Sequence, residues 1–178
     1  MLSLTKRTEY ALIALTYMIE QGAISLDGKS PGLVPPASAR EISNRYHVPL
    51  PLLMNILKKL STEGVLLSIR GAKGGYALAT DPKKLTLSHL IKVLEGPVAL
   101  VDCCCPPELV KAAMAKCKTS GTCPVRNPLH ALHQRLVGYL ENVVIADLCM
   151  KRPSERNGSK ETVELRGKLA EGFAVAGH

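Results

Sequence analysis

The chain has 178 residues, 46% of them hydrophobic but only 3% aromatic and none tryptophan, so aliphatic side chains must fill the core of one medium domain or two small ones. Lys and Arg number 23 against 15 Asp and Glu, a formal charge of +8 that points to a polyanionic partner. No apolar run is long enough to span a bilayer, and the stretch Ala11–Ile19 is too interrupted, by Thr16 and Tyr17 within it and Glu9 before it, for a signal peptide. A cytoplasmic chain with reduced thiols is the expectation.

Apolar residues at 11, 12, 14, 15, 18 and 19 mark a helical stripe over residues 5–21, and Gly22 stops it. A Gly- and Pro-rich loop runs from Gly22 to Ala37. Ser38-Ala-Arg-Glu41 reads as a capping box, so a short helix starts at Ser38 with Ala39, Ile42 and Tyr46 inward. His47-Val48-Pro49 is a turn. Pro51 suits the first turn of a second helix that buries Leu52, Leu53, Ile56, Leu57 and Leu60 and ends at Gly64. The outer face of that helix carries Met54, Asn55, Lys58 and Lys59.

Two short helices joined by a tight turn suggest helix-turn-helix. Val65–Ile69 and Tyr76–Ala79 then read as two strands around the basic, glycine-rich tip Arg70–Gly75. A hairpin in that place is the layout of a winged helix. The tip could instead cradle a phosphate, but a phosphate loop should lead into a helix N-terminus and this one leads into a strand. Arg40 joins Met54, Asn55, Lys58, Lys59, Arg70 and Lys73 as candidate DNA contacts. Asn can pair bidentately with adenine and Met can touch a thymine methyl, whereas lysines meet phosphates and wing-tip cations can enter the minor groove.

Thr86 can cap a further helix with Leu87, Leu90, Ile91 and Leu94 inward, ended by Gly96-Pro97. Five of the six cysteines follow: Cys103, Cys104, Cys105, Cys117 and Cys123, with a short helix expected over Pro107–Lys116. None of their spacings makes a paired zinc knuckle. An iron–sulfur cluster tolerates irregular spacing, and disulfides or inert thiols are the plain alternative. From Leu129 a long helix is expected to about Met150, with Leu129, Leu132, Leu136, Leu140, Val143, Val144 and Leu148 along one side. A stripe so full suits a dimer interface as well as an internal core. Cys149 is expected to be a buried thiol, and His130 and His133 to lie at the helix surface or a dimer seam. No hydrolytic or transferase constellation stands out, so an enzyme is not expected.

Leu4-Thr-Lys-Arg-Thr-Glu-Tyr-Ala11, Ser38–Ile42, Val65–Tyr76, Glu95–Cys103 and Cys123–Arg126, in this order, resemble the Rrf family of bacterial winged-helix regulators, with its IscR-type and NsrR-type iron–sulfur sensors. The resemblance covers about residues 1–150. It implies a homodimer that binds double-stranded DNA and carries a 2Fe–2S or 4Fe–4S cluster on Cys103, Cys117 and Cys123. Cys104 and Cys105 are alternatives to the first ligand or candidates for the fourth. The histidine that IscR-type members carry three residues after the last cysteine is here Arg126, which cannot bind iron. Glu9 falls where NsrR-like members carry an acidic ligand, so it is the expected fourth ligand, donated by the other subunit. Met54 and Asn55 align with base-contacting positions of the family.

The expected fold is mainly α with a small β-hairpin wing. Its divisions are a DNA-binding domain over 1–82, a linking helix over 83–101, a cysteine-rich cluster-binding loop over 102–128, a dimerisation helix over 129–150 and a flexible tail over 151–178. The rival functions are a cluster-free regulator that senses oxidants with its thiols, and a small iron–sulfur redox protein.

Overall fold

The computed structural model describes residues 4–25, 35–71, 73–101, 103 and 122–149. Helix α1, Lys6–Gln21, has one face enclosed in the described core. Its buried stripe of Ala11, Ala14, Leu15 and Met18 repeats at helical spacing, with Thr8 and Tyr17 beside it. Gly22 ends it in the left-handed region at φ 68°, where a glycine is at no steric disadvantage.

Helix α2, Ala39–Tyr46, and helix α3, Leu50–Thr62, form the helix-turn-helix. Their turn is pinned by Ser43, whose hydroxyl donates to Val48 O at 2.7 Å while its carbonyl accepts from Val48 N at 3.2 Å. Leu53, Ile56, Leu57 and Leu60 face the core, as their spacing dictates, and Leu52 is half-buried. The expected capping box does not form. Ser38 is the N-cap residue of α2 but its side chain makes no capping hydrogen bond. Glu41, the other half of the box, instead accepts a hydrogen bond from the Tyr17 hydroxyl. A long-range partner has won over a local one.

Strands β1, Leu66–Ile69, and β2, Gly75–Leu78, pair antiparallel with Leu66 opposite Leu78 and Ile69 opposite Gly75. The described ends of the 22–37 loop lie against β2: Ala37 bridges Tyr76 and Ile24 bridges Leu78. A Cβ on Gly75 would sit 2.4 Å from Ala37 O, so that approach requires glycine.

Helix α4, Leu87–Glu95, begins at Thr86, whose hydroxyl accepts from His89 N at 3.2 Å. The single helix expected over 129–150 is two. Helix α5 is Arg126–Asn142, and helix α6 is Ile145–Cys149. Between them Val143 is extended and Val144 forms a bridge with Thr86. Leu87 N donates to Val143 O and Ile145 N to Leu85 O, each at 2.8 Å. Paired β-branched residues have exchanged helix hydrogen bonds for a short ladder. Helix α6 then packs on α1, burying Ile145, Ala146 and Cys149, while α5 leans on α4. The expected helix over 107–116 and the tail 151–178 lie outside the described residues. Among the described residues no helix is long and apolar enough to cross a membrane.

Candidate functional site

Helix α3 presents Met54, Asn55 and Lys58 to solvent on the side opposite its core residues. Met54 is 49% exposed, which costs apolar surface unless a partner covers it. Lys59 is exposed too, but its ammonium donates to Leu94 O at 3.1 Å, at the C-terminal turn of α4. It therefore leans toward α4 rather than standing with the other three. Arg40 on α2 is exposed, as are Arg70 and Lys73 at the hairpin tip. The tip turns at Gly71, whose φ of 124° is open to glycine, and a Cβ on Gly74 would meet Ile69 O at 2.4 Å.

The helix-turn-helix is locked to α1 through polar contacts that sequence patterning does not foretell. Tyr17 is buried and donates to Glu41. That bond, then burial, pushes its phenol up to about 12. The Arg45 guanidinium lies 5.6 Å from the Tyr17 ring centre and 5.8 Å from that of Tyr46.

Of the expected cysteine ligands, Cys103 and Cys123 are described, and both are free, half-buried thiols. They stand where the chain leaves the linker after α4 and where it enters α5. Cys104, Cys105 and Cys117 lie outside the described residues. Glu9 is an exposed first-turn acid of α1, paired with Lys6 at 2.7 Å. Among the described residues no three His, Cys, Asp or Glu side chains gather as a metal site. His130 Nε2 and His133 Nδ1, on α5, are withdrawn from water and have no hydrogen-bond partner among the described residues. Cys149 is buried as expected, with Thr16 Oγ1 3.1 Å from its sulfur, and burial pushes its thiol up.

Sequence reasoning missed Glu95. Its carboxylate accepts from both Thr5 and Thr8 hydroxyls, which ties the N-terminus of α1 to the end of α4. Thr8 is fully buried. A fully buried hydroxyl needs a partner, and Glu95 supplies it eight residues before Cys103.

The sequence profile of the Rrf2 family, described as an iron-dependent transcriptional regulator, matches residues 4–151. The chain is 27% identical over 160 residues to the HTH-type transcriptional regulator NsrR of Geobacillus kaustophilus, covering 90% of this chain and 98% of that one. It is 25% identical over 171 residues to the regulator IscR of Photobacterium profundum, covering 96% and 89%. Among solved structures it resembles CymR, the global cysteine regulator of Bacillus subtilis, at a TM-score of 0.56 and 26% identity, covering 84% of this chain and 97% of that one.

Proposed function

The chain belongs to the Rrf2 family of DNA-binding transcriptional regulators, and from that premise we propose that it works as a homodimer whose DNA binding answers to an iron–sulfur cluster. The observation that carries the proposal is the concentration of five cysteines between 103 and 123, bounded by two free and partly accessible thiols at the junction of linker and α5. Soft thiolates on one segment suit iron, and Cys103, Cys117 and Cys123 are assigned as ligands, with Cys104 and Cys105 as neighbours able to substitute. Glu9 of the partner subunit is assigned as the fourth. A carboxylate oxygen is a harder donor than a thiolate, so its bond is the labile one, and to ligate iron it must give up Lys6. When bound, such a cluster supplies a change of charge and ligation in response to redox state, nitric oxide or iron–sulfur status.

This chain's own part is to convert that change into head placement. Glu95 joins the cysteine-side linker to α1, and α1 is joined to the reading helices through Tyr17 and Glu41. A ligand regulates only by favouring one arrangement over another, and this is a contiguous route along which an arrangement can be imposed. Asn55 and Met54 are assigned to base edges, Arg40 and Lys58 to phosphates, and Arg70 and Lys73 to the minor groove. Lys59 is assigned to the phosphate strand on the α4 side.

Purification without oxygen tests the cofactor. Cluster absorbance bands are expected, and a colourless protein holding zinc alone would overturn the assignment. Glu9→Ala should then alter the spectrum and the DNA response while Cys104→Ala and Cys105→Ala keep theirs. A wild-type Glu9→Ala beside one cysteine variant that has lost its cluster moves the fourth ligand to that cysteine. A second reading keeps the DNA binding of the family and has the same thiols sense oxidants without iron. DNA binding switched by peroxide in iron-free protein would select it.

A further inference from the structure

A cleft of about 850 Å³ opens between the N-terminus of α1, the flank of α3 and the last turn of α4. Lys6, Arg7, Lys59 and Lys92 line it, four cations against the single carboxylate of Glu95, whose Oε1 accepts from Thr5 and Thr8. Lys6 is partly neutralised by Glu9. Arg7 and Lys92 are exposed and, among the described residues, make no ion pair.

Two features make this more than a scatter of surface charge. First, Lys6 and Arg7 occupy the first turn of a 16-residue helix, where the macrodipole is already positive and cations are disfavoured. A choice that opposes local stability marks a position held for another purpose. Second, the cleft is placed by α3. Leu52 and Lys59, seven residues apart, share one line along that helix and form the cleft wall. Asn55 and Lys58 stand on the adjoining face. A helix lying in the major groove has a phosphate strand on either side, so the flank of α3 faces that strand when its outer face meets the bases.

We propose that this cleft clamps the DNA phosphate backbone beside the recognition helix, through Arg7 and Lys92 with Lys59 and the α1 N-terminus. The proposal rests on the DNA-binding reading of the family. Arg7, Lys6 and Lys92 are absent from the sequence candidates because they lie on α1 and α4, outside the helix-turn-helix and the wing. Glu95 forms the cleft's far edge and leads to Cys103, so the clamp sits at the junction between DNA and the cysteine stretch.

The experiment measures duplex affinity of the full chain across a salt series, for an operator-bearing and a random duplex. Each phosphate contact contributes about 0.9 to the slope of log affinity against log salt. The double variant Arg7→Ala, Lys92→Ala should lower the wild-type slope by about 2 and weaken both duplexes alike. Lys84→Ala, an exposed cation elsewhere, should keep the wild-type slope. The charge reversal Lys92→Glu should weaken binding further than Lys92→Ala. An unchanged slope in the double variant, beside a steep wild-type slope, overturns the clamp and leaves DNA binding intact. Calorimetric titration with inorganic phosphate separates the other source of the same chemistry: saturable binding lost in the double variant, with an unchanged DNA slope, makes the cleft a free-anion site and overturns the proposal. A wild type with no salt-dependent duplex binding removes the DNA reading and the clamp together.

Discussion

Asn55 and Lys58 stand on the same exposed face of α3 but differ in what they can read. A bidentate amide pair discriminates bases by about 1–3 kcal/mol, whereas an ammonium on a phosphate does not discriminate. Asn55→Ala should therefore broaden the preferred sequence in a binding-site selection, while Lys58→Ala should lower affinity for every duplex equally. Selection of the same site by Asn55→Ala would move the base contacts to another face. Tyr17 gives a second prediction. Its folded value of about 12 lies above the ordinary 10.0, chiefly through its bond to Glu41. The folded state then holds the phenol proton more tightly than the unfolded chain does. The stability this adds is fully present below pH 10 and is lost as pH rises toward 12. Urea midpoints should fall less between pH 10 and 12 in Tyr17→Phe than in wild type. Parallel profiles would detach Tyr17 from the alkaline loss.

Two helix starts look alike in sequence and differ in the fold. Ser38 and Thr86 are both favourable N-cap residues, and Ser38 has the fuller motif, with Glu41 three residues on. Yet Thr86 accepts from His89 N, while Ser38 makes no side-chain cap and Glu41 is taken by Tyr17. Thr86→Ala should cost about 1 kcal/mol in chemical denaturation, and Ser38→Ala well under half of that. Equal losses would mean that the Ser38 cap forms in solution. The break between α5 and α6 has the same origin. The apolar stripe through Val143 and Val144 fits a continuing helix. The alternative becomes favourable only because Leu85 and Leu87 stand ready to pair with that stretch. Local periodicity reports which side is apolar and cannot report a partner nearly sixty residues away.

At the scale of the whole molecule, α5 has two apolar sides, and among the described elements α4 meets one of them. Leu136 and Leu140 line a cleft with α4. Val125, Leu132 and Tyr139, seven residues apart, form a second stripe, 51%, 54% and 68% exposed. None of the helix's 17 residues is buried. An apolar stripe of this length in water points to a covering surface, which the proposed homodimer would supply by two-fold symmetry. Leu132→Glu with Tyr139→Glu should shift the sedimentation profile to monomer and leave the helical circular dichroism unchanged, since neither side chain supports the single chain's core. A dimer that survives both charges would place the interface elsewhere.

The sequence by itself determined the order and kind of the described elements as far as α4: the stripe of α1, the turn at His47–Pro49, the hairpin around Arg70–Gly75 and the Thr86 cap, and with them the buried Cys149. It also singled out the exposed face of α3. Each of these is written in neighbours within a few residues, where side-chain spacing, caps and glycine positions act directly. Tertiary structure alone decided that Glu41 serves Tyr17 rather than its own helix, that the helix expected over 129–150 divides at Val143, and that Glu95 holds the start of α1. It alone gathered Arg7, Lys59 and Lys92 around one cleft. These are contacts between residues far apart in the chain. A polar or β-branched side chain has several acceptable partners, and packing, by removing water from one of them, selects which it takes.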